Sequence, residues 1–136
     1  TYWQERMTYT LTDTSKLNGA ELFTYRYSEI YDGYFVSLSM DGKKLFADMP
    51  RAKVNITLDL QSEYLAGKKI KVVGLDYNAF DGLEIDTLTI KGNARTFYLL
   101  EKSLNDTGLK TLKHSRGIVL DGTANAINNE YSEVLI

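Results

Sequence analysis

From Arg51 to Leu60 the chain reads RAKVNITLDL. Ala52, Val54, Ile56, Leu58 and Leu60 fall on one side, and Lys53, Asn55, Thr57 and Asp59 on the other. Unbroken two-residue alternation of this kind specifies a strand with one face in a core and one face in water. Parallel strands are usually covered on both faces and read as continuous apolar runs, so a one-sided pattern argues for a sandwich strand with a wet outer face.

Weaker versions of the pattern recur along the chain. Trp3, Glu5, Met7, Tyr9 and Leu11 alternate with polar residues, and a strand is expected over Tyr2 to Leu11. Asp13 to Gly19 reads as a polar turn ending in Asn-Gly. Further strands are expected at Leu22 to Tyr27 and Tyr34 to Met40. Asp41-Gly42 then separates two alternating runs, which predicts a hairpin into Lys43 to Met49. Pro50 cannot donate to a ladder and belongs at a strand start or edge. Gln61 to Gly67 suits a single helical turn. Lys69 to Tyr77 and Leu83 to Ile90 are strands whose phase shifts, near Gly74 and between Ile85 and Leu88, which predicts bulges. Arg95 to Glu101 is apolar on both faces, Leu109 to His114 reads as an edge strand, Thr123 to Asn129 as a loop, and Tyr131 to Ile136 as a closing strand. About nine or ten short strands separated by turn signals predict an all-β fold: one antiparallel β-sandwich, transthyretin-like or immunoglobulin-like, over residues 1–136. Asp-Gly recurs at 41, 81 and 121, but the flanking segments are too unlike to define a repeat.

Composition narrows the function classes. A net charge of -2 with scattered Lys and Arg gives no electrostatic case for nucleic acid. The chain contains 0 cysteines, which excludes a disulfide scaffold, a thiolate metal site and a cysteine nucleophile. No apolar run approaches the roughly 18 residues of a membrane span. The chain starts at Thr1 rather than Met, which leaves room for a removed export signal.

Chemistry is sparse. Asp76 to Gly82 superficially resembles a calcium loop, but Phe80 and Thr87 stand where ligands are required, and an ordinary acidic hairpin explains Asp76, Asp81, Glu84 and Asp86. His114 has Ser115 beside it, but adjacent residues do not form a catalytic dyad, and a solvent-facing strand histidine is expected. No set of residues points to a reaction, and no cofactor or metal is implied. Tyr31, Tyr34, Tyr77 and Phe80 flank predicted turns. Exposed, their rings would stack on sugar; turned inward, they would close the ends of the core.

The segment from Tyr31 to Leu60 (YDGYF, SLSMDGKKLF, then MPRAKVNITLDL) resembles surface fimbrial proteins of Bacteroidetes, the fimbrillins and FimB-like fimbrial anchors. Arg51, Ala52, Lys53 and Val54 match the Arg-(Ala/Val)-Lys-(Val/Ile) strand of those domains, and Leu65 to Leu75 is similar to their next strand. The resemblance covers about a third of the chain. It implies a transthyretin-like sandwich, export to the cell surface, and assembly with other subunits by β-strand addition. The expected function is therefore a non-enzymatic structural or adhesive surface domain, resembling a fimbrial subunit or anchor. The alternative is a carbohydrate-binding module that holds surface glycans through the loop aromatics.

Overall fold

A computed structural model describes residues 7–49 and 52–136. The elements in chain order are β1 (Met7–Thr12), β2 (Lys16–Leu17), β3 (Ala20–Glu21), β4 (Phe23–Ser28), β5 (Gly33–Leu38), α1 (Met40–Ala47), β6 (Ala52–Asp59), α2 (Glu63–Gly67), β7 (Val72–Leu75), β8 (Ile85–Lys91), β9 (Arg95–Leu99), β10 (Thr111–His114), β11 (Ile118–Asp121), α3 (Thr123–Ala126) and β12 (Ser132–Leu135). Among the described residues no helix is long and apolar enough to cross a membrane. Trp3, Glu5, Pro50 and Arg51 lie outside the described residues.

The strands form two main sheets. The front sheet has the order β1-β6-β8-β10-β12, and every neighbouring pair in it is parallel. The back sheet has the order β11-β9-β7-β5-β4, parallel except for the β4–β5 hairpin. From β5 onward successive strands alternate between the sheets, and each pairs with the strand two places further on. The chain therefore winds as a parallel solenoid, one strand per sheet in each coil. This overturns the expected antiparallel all-β sandwich, in both its transthyretin-like and immunoglobulin-like forms: the fold is mixed, with parallel sheets and helices α1, α2 and α3.

The repeat hidden in the sequence is set by this winding. Leu88 lies beside Leu112 and Leu75 beside Leu99, a step of 24 residues. The step is 23 from Arg95 to Ile118 and 21 from Thr111 to Ser132. Corners stack as well as strands: Phe80 N donates to Ser103 O at 2.9 Å, and Leu104 N to Ala126 O at 2.9 Å. Phe80, Leu104 and Ile127 thus form one buried column, and Ala79, Ser103 and Ala126 another. The two sheets share one core, to which the front sheet gives Val54, Ile56, Leu58, Leu88, Ile90 and Leu112.

β6 keeps its expected alternation, every second residue buried, yet its neighbours β1 and β8 are both parallel to it. A solenoid reconciles the two observations, because a parallel strand of the front sheet buries its inner face alone. The Asp41-Gly42 hairpin is absent. Ser39 instead caps α1, its Oγ accepting from Gly42 N at 3.0 Å. A Cβ on Gly42 would sit 2.9 Å from Leu22 Cδ1 and 3.0 Å from Leu38 Cγ, so this glycine serves helix packing and not a turn. Lys43 to Met49, expected as a strand, is mostly α1. Leu109 to His114 supplies β10, an interior strand of the front sheet and not an edge, and the loop expected at Thr123 to Asn129 holds α3. The expected irregularity between Ile85 and Leu88 is present: the ladder skips Asp86, and Asn55 Oδ1 accepts from Thr87 N at 3.2 Å.

Candidate functional site

The solenoid presents two outer faces. On the front sheet, register places Thr10, Asn55, Thr87, Thr111 and Ser132 in one row across five strands. Two residues along, Thr12, Thr57, Thr89, Lys113 and Val134 form a second row. All of these side chains are half-buried or exposed. Neighbouring members of a row are about 4.8 Å apart and the rows about 6.6 Å apart, as strand geometry dictates. The face is thus an ordered grid, mostly of short hydroxyl and amide groups, whose second row ends in Lys113 and Val134. Charge enters the grid at Lys113, and beside the grid the Asp86 carboxylate lies 3.4 Å from Lys53 Nζ and 4.0 Å from Lys110 Nζ.

The outer face of the back sheet is aromatic. One row runs Arg26, Phe35, Gly74, Tyr98, Asp121. Gly74 is required there, since a Cβ would fall 2.1 Å from Tyr98 O and 2.7 Å from Phe35 Cε1. Phe35 therefore lies over the glycine strand, 1% exposed. Tyr31 folds onto it from the β4–β5 turn, with ring centroids 5.2 Å apart, and meets Tyr98 at 4.6 Å. The Arg26 guanidinium carbon stands 5.4 Å from the Phe35 centroid. Asp76 holds Arg26 with two hydrogen bonds, Nε to Oδ2 and Nη2 to Oδ1, each 2.9 Å. This pairing raises the Arg26 pKa.

Of the residues singled out from sequence, Tyr31 is 39% and Tyr77 59% exposed. Tyr77 follows Asp76, and its N–H donates to Asp76 Oδ1 at 2.9 Å. Tyr34 is half-buried and packs edge-on against Tyr27 at 5.2 Å. Phe80 is fully buried against Phe23, which takes it out of any surface set. Sequence reading missed Tyr98 as a neighbour of Tyr31, and the Arg26–Asp76 pair beside Phe35. The signal that links Tyr98 to Gly74 is the 24-residue step of the coil.

His114 is not solvent-facing but 3% exposed. It occupies an inward column with Ile90 and Leu135. Its Nε2 lies 2.8 Å from Glu133 Oε2 and its Nδ1 3.1 Å from Ser115 O. Ser115 Oγ accepts instead from Gly92 N at 3.0 Å. The acidic residues are dispersed: Asp76 pairs with Arg26, Asp81 with Lys43, and Asp86 with Lys53. Among the described residues, no three His, Asp or Glu side chains converge as metal ligands. A hollow of about 390 Å³ beside α1 is lined by Leu38, Phe46, Leu83 and the Lys43–Asp81 pair.

Fold and faces together define a parallel solenoid with two outer sheet faces, the front one half-buried to exposed among the described residues and the back one partly closed by its own aromatic side chains, an architecture suited to extended contact. Comparison with protein-family models, with curated proteins and with solved structures gives no match.

Proposed function

We propose that the chain is a non-enzymatic recognition domain of a structural or adhesive cell-surface protein, binding a partner protein along the outer face of the front sheet. The observation that carries this reading is the pair of in-register rows from Thr10 to Ser132 and from Thr12 to Val134. A partner laid on these rows meets donors and acceptors already fixed by the ladder, so few side chains are immobilised on binding. The resemblance of Tyr31 to Leu60 to fimbrial surface proteins supports the cellular setting and the exported location, although not through the fold it implied. Assembly with other subunits has a physical basis in β12, an edge strand of the front sheet.

The test is binding of the full chain, coated on beads, to an array of purified extracellular-matrix and bacterial surface proteins. The double variant Thr57→Arg with Thr89→Arg is expected to lose at least tenfold in binding while its thermal midpoint stays within a few degrees. Binding that is indifferent to this variant would overturn the front-face reading.

A further inference from the structure

We infer that the outer face of the back sheet carries a second, independent site for a neutral sugar ring, with Tyr31 and Tyr98 as its stacking surface and the Arg26–Asp76 pair as its polar partner. The site goes beyond the front-face reading and shares no residue with it.

Three features distinguish this cluster from ordinary packing. Burial is graded: Phe35 is a closed floor, Tyr98 is half-buried, and Tyr31 is exposed. The turn that carries Tyr31 does not need the ring for its own closure. Tyr31 N donates to Ser28 Oγ at 3.4 Å, Asp32 N to Glu29 O at 3.3 Å, and Tyr27 OH to Asp32 Oδ1 at 2.9 Å. Finally, the polar group beside the rings is already oriented. Asp76 fixes Arg26 through Nε and one hydrogen of Nη2, which leaves the remaining guanidinium N–H groups as donors on a side chain that is 50% exposed.

A pyranose is the ligand class that uses both parts. One of its faces is a patch of C–H bonds that lies on an aromatic ring, and its rim carries hydroxyls that accept from Arg and donate to carboxylate. Charge selects a neutral sugar. Arg26 is neutralised by Asp76, and Asp121, next to Tyr98 across the ladder, is exposed and anionic, which disfavours uronic or sialic acids.

The experiment is a printed array of neutral and acidic glycans probed with the full chain, followed by amide-shift titration with cellohexaose and mannohexaose. Expected are hits among neutral glycans, with shifts centred on Tyr31, Gly74 and Tyr98. Tyr31→Ala and Arg26→Gln should each weaken that binding at least tenfold with little change in thermal midpoint, and Tyr31→Phe should retain most of it. The front-face variant Thr57→Arg with Thr89→Arg should bind sugar normally, so either reading can fail alone. Absence of any glycan signal overturns the sugar site. So does sugar binding that survives Tyr31→Ala, or a Tyr31→Ala variant whose only change is lower stability.

Discussion

His114 shows how much one side chain can depend on its neighbours. Both of its ring nitrogens face acceptors, the Glu133 carboxylate and the Ser115 carbonyl. Its column in the earlier coils is filled by Leu58 and Ile90, and Leu135 follows it in β12. Removing Glu133 leaves one buried nitrogen without its acceptor, so Glu133→Ala should cost about 1–3 kcal/mol. Half of the Glu133 side chain is exposed, which places the cost at the lower end of that range. A urea midpoint equal to that of the parent chain would show that the pair contributes nothing. Tyr25 gives a second test at this scale. Burial of the ring, then the nearby Asp13 carboxylate, pushes its phenol well above the ordinary tyrosine range. The folded state therefore holds the Tyr25 proton more tightly than the unfolded chain. Its contribution to stability is complete below the unfolded value of about 10 and declines as pH rises from there through the folded value. Tyr25→Phe should flatten this alkaline loss, measured as urea midpoints from pH 9 to 11. An unchanged slope would contradict the assignment.

Among the elements, β6 was legible in sequence because its alternation reports burial, and burial depends only on which faces are covered. What alternation does not report is strand direction. A short connection ending in Asp-Gly looks like a hairpin, and Asp41-Gly42 is read that way. Yet Ser39 three residues before Gly42 caps a helix, and Gly42 is there to let Leu22 and Leu38 approach. Helix capping and close packing both override the turn signal. Gly74 is the complementary case: the phase shift around it was readable, but its partner Tyr98 was not, because parallel register links residues a whole coil apart. The same geometry explains why Tyr31 was found as a candidate and Tyr98 was not. Gly74→Ala would force a Cβ to within 2.1 Å of Tyr98 O, where backbone must move. The expected loss is about 3 kcal/mol, from broken β7–β9 pairing and displaced Phe35. A thermal midpoint within 2 °C of the parent (roughly the shift that 0.5 kcal/mol produces in a domain of this size) would refute the account. Ser39→Ala should cost about 1 kcal/mol through loss of the α1 cap, read the same way.

For the whole molecule, the solenoid makes stability a chain of neighbour contacts and not the property of one closed core. Each coil rests on the one before it, so amide protection should be greatest in β6, β8 and β7 and fall toward β11 and β12. The sequence conceals this arrangement because the coils differ in length. Inserts carrying α1 and α2 stretch the early coils, whereas the later ones step by 24, 23 and 21 residues. The even spacing of Asp-Gly pairs follows none of these steps. Deleting Tyr131–Ile136 is the sharpest test at this scale. It removes β12, deprives His114 of Glu133, and exposes the whole edge of β10, whose Leu112 and His114 are now buried. An antiparallel sandwich would lose global stability with such a strand. A solenoid should instead keep the β6–β8 region folded, with native-like amide protection there, while protection disappears from β10 and β11. The newly bared parallel edge should then self-associate, seen as light scattering that rises with protein concentration. A truncated chain that stayed monomeric with β10 fully protected would show that the last coil contributes little. One that lost protection everywhere at once would show that the coils do not fold as separable neighbours.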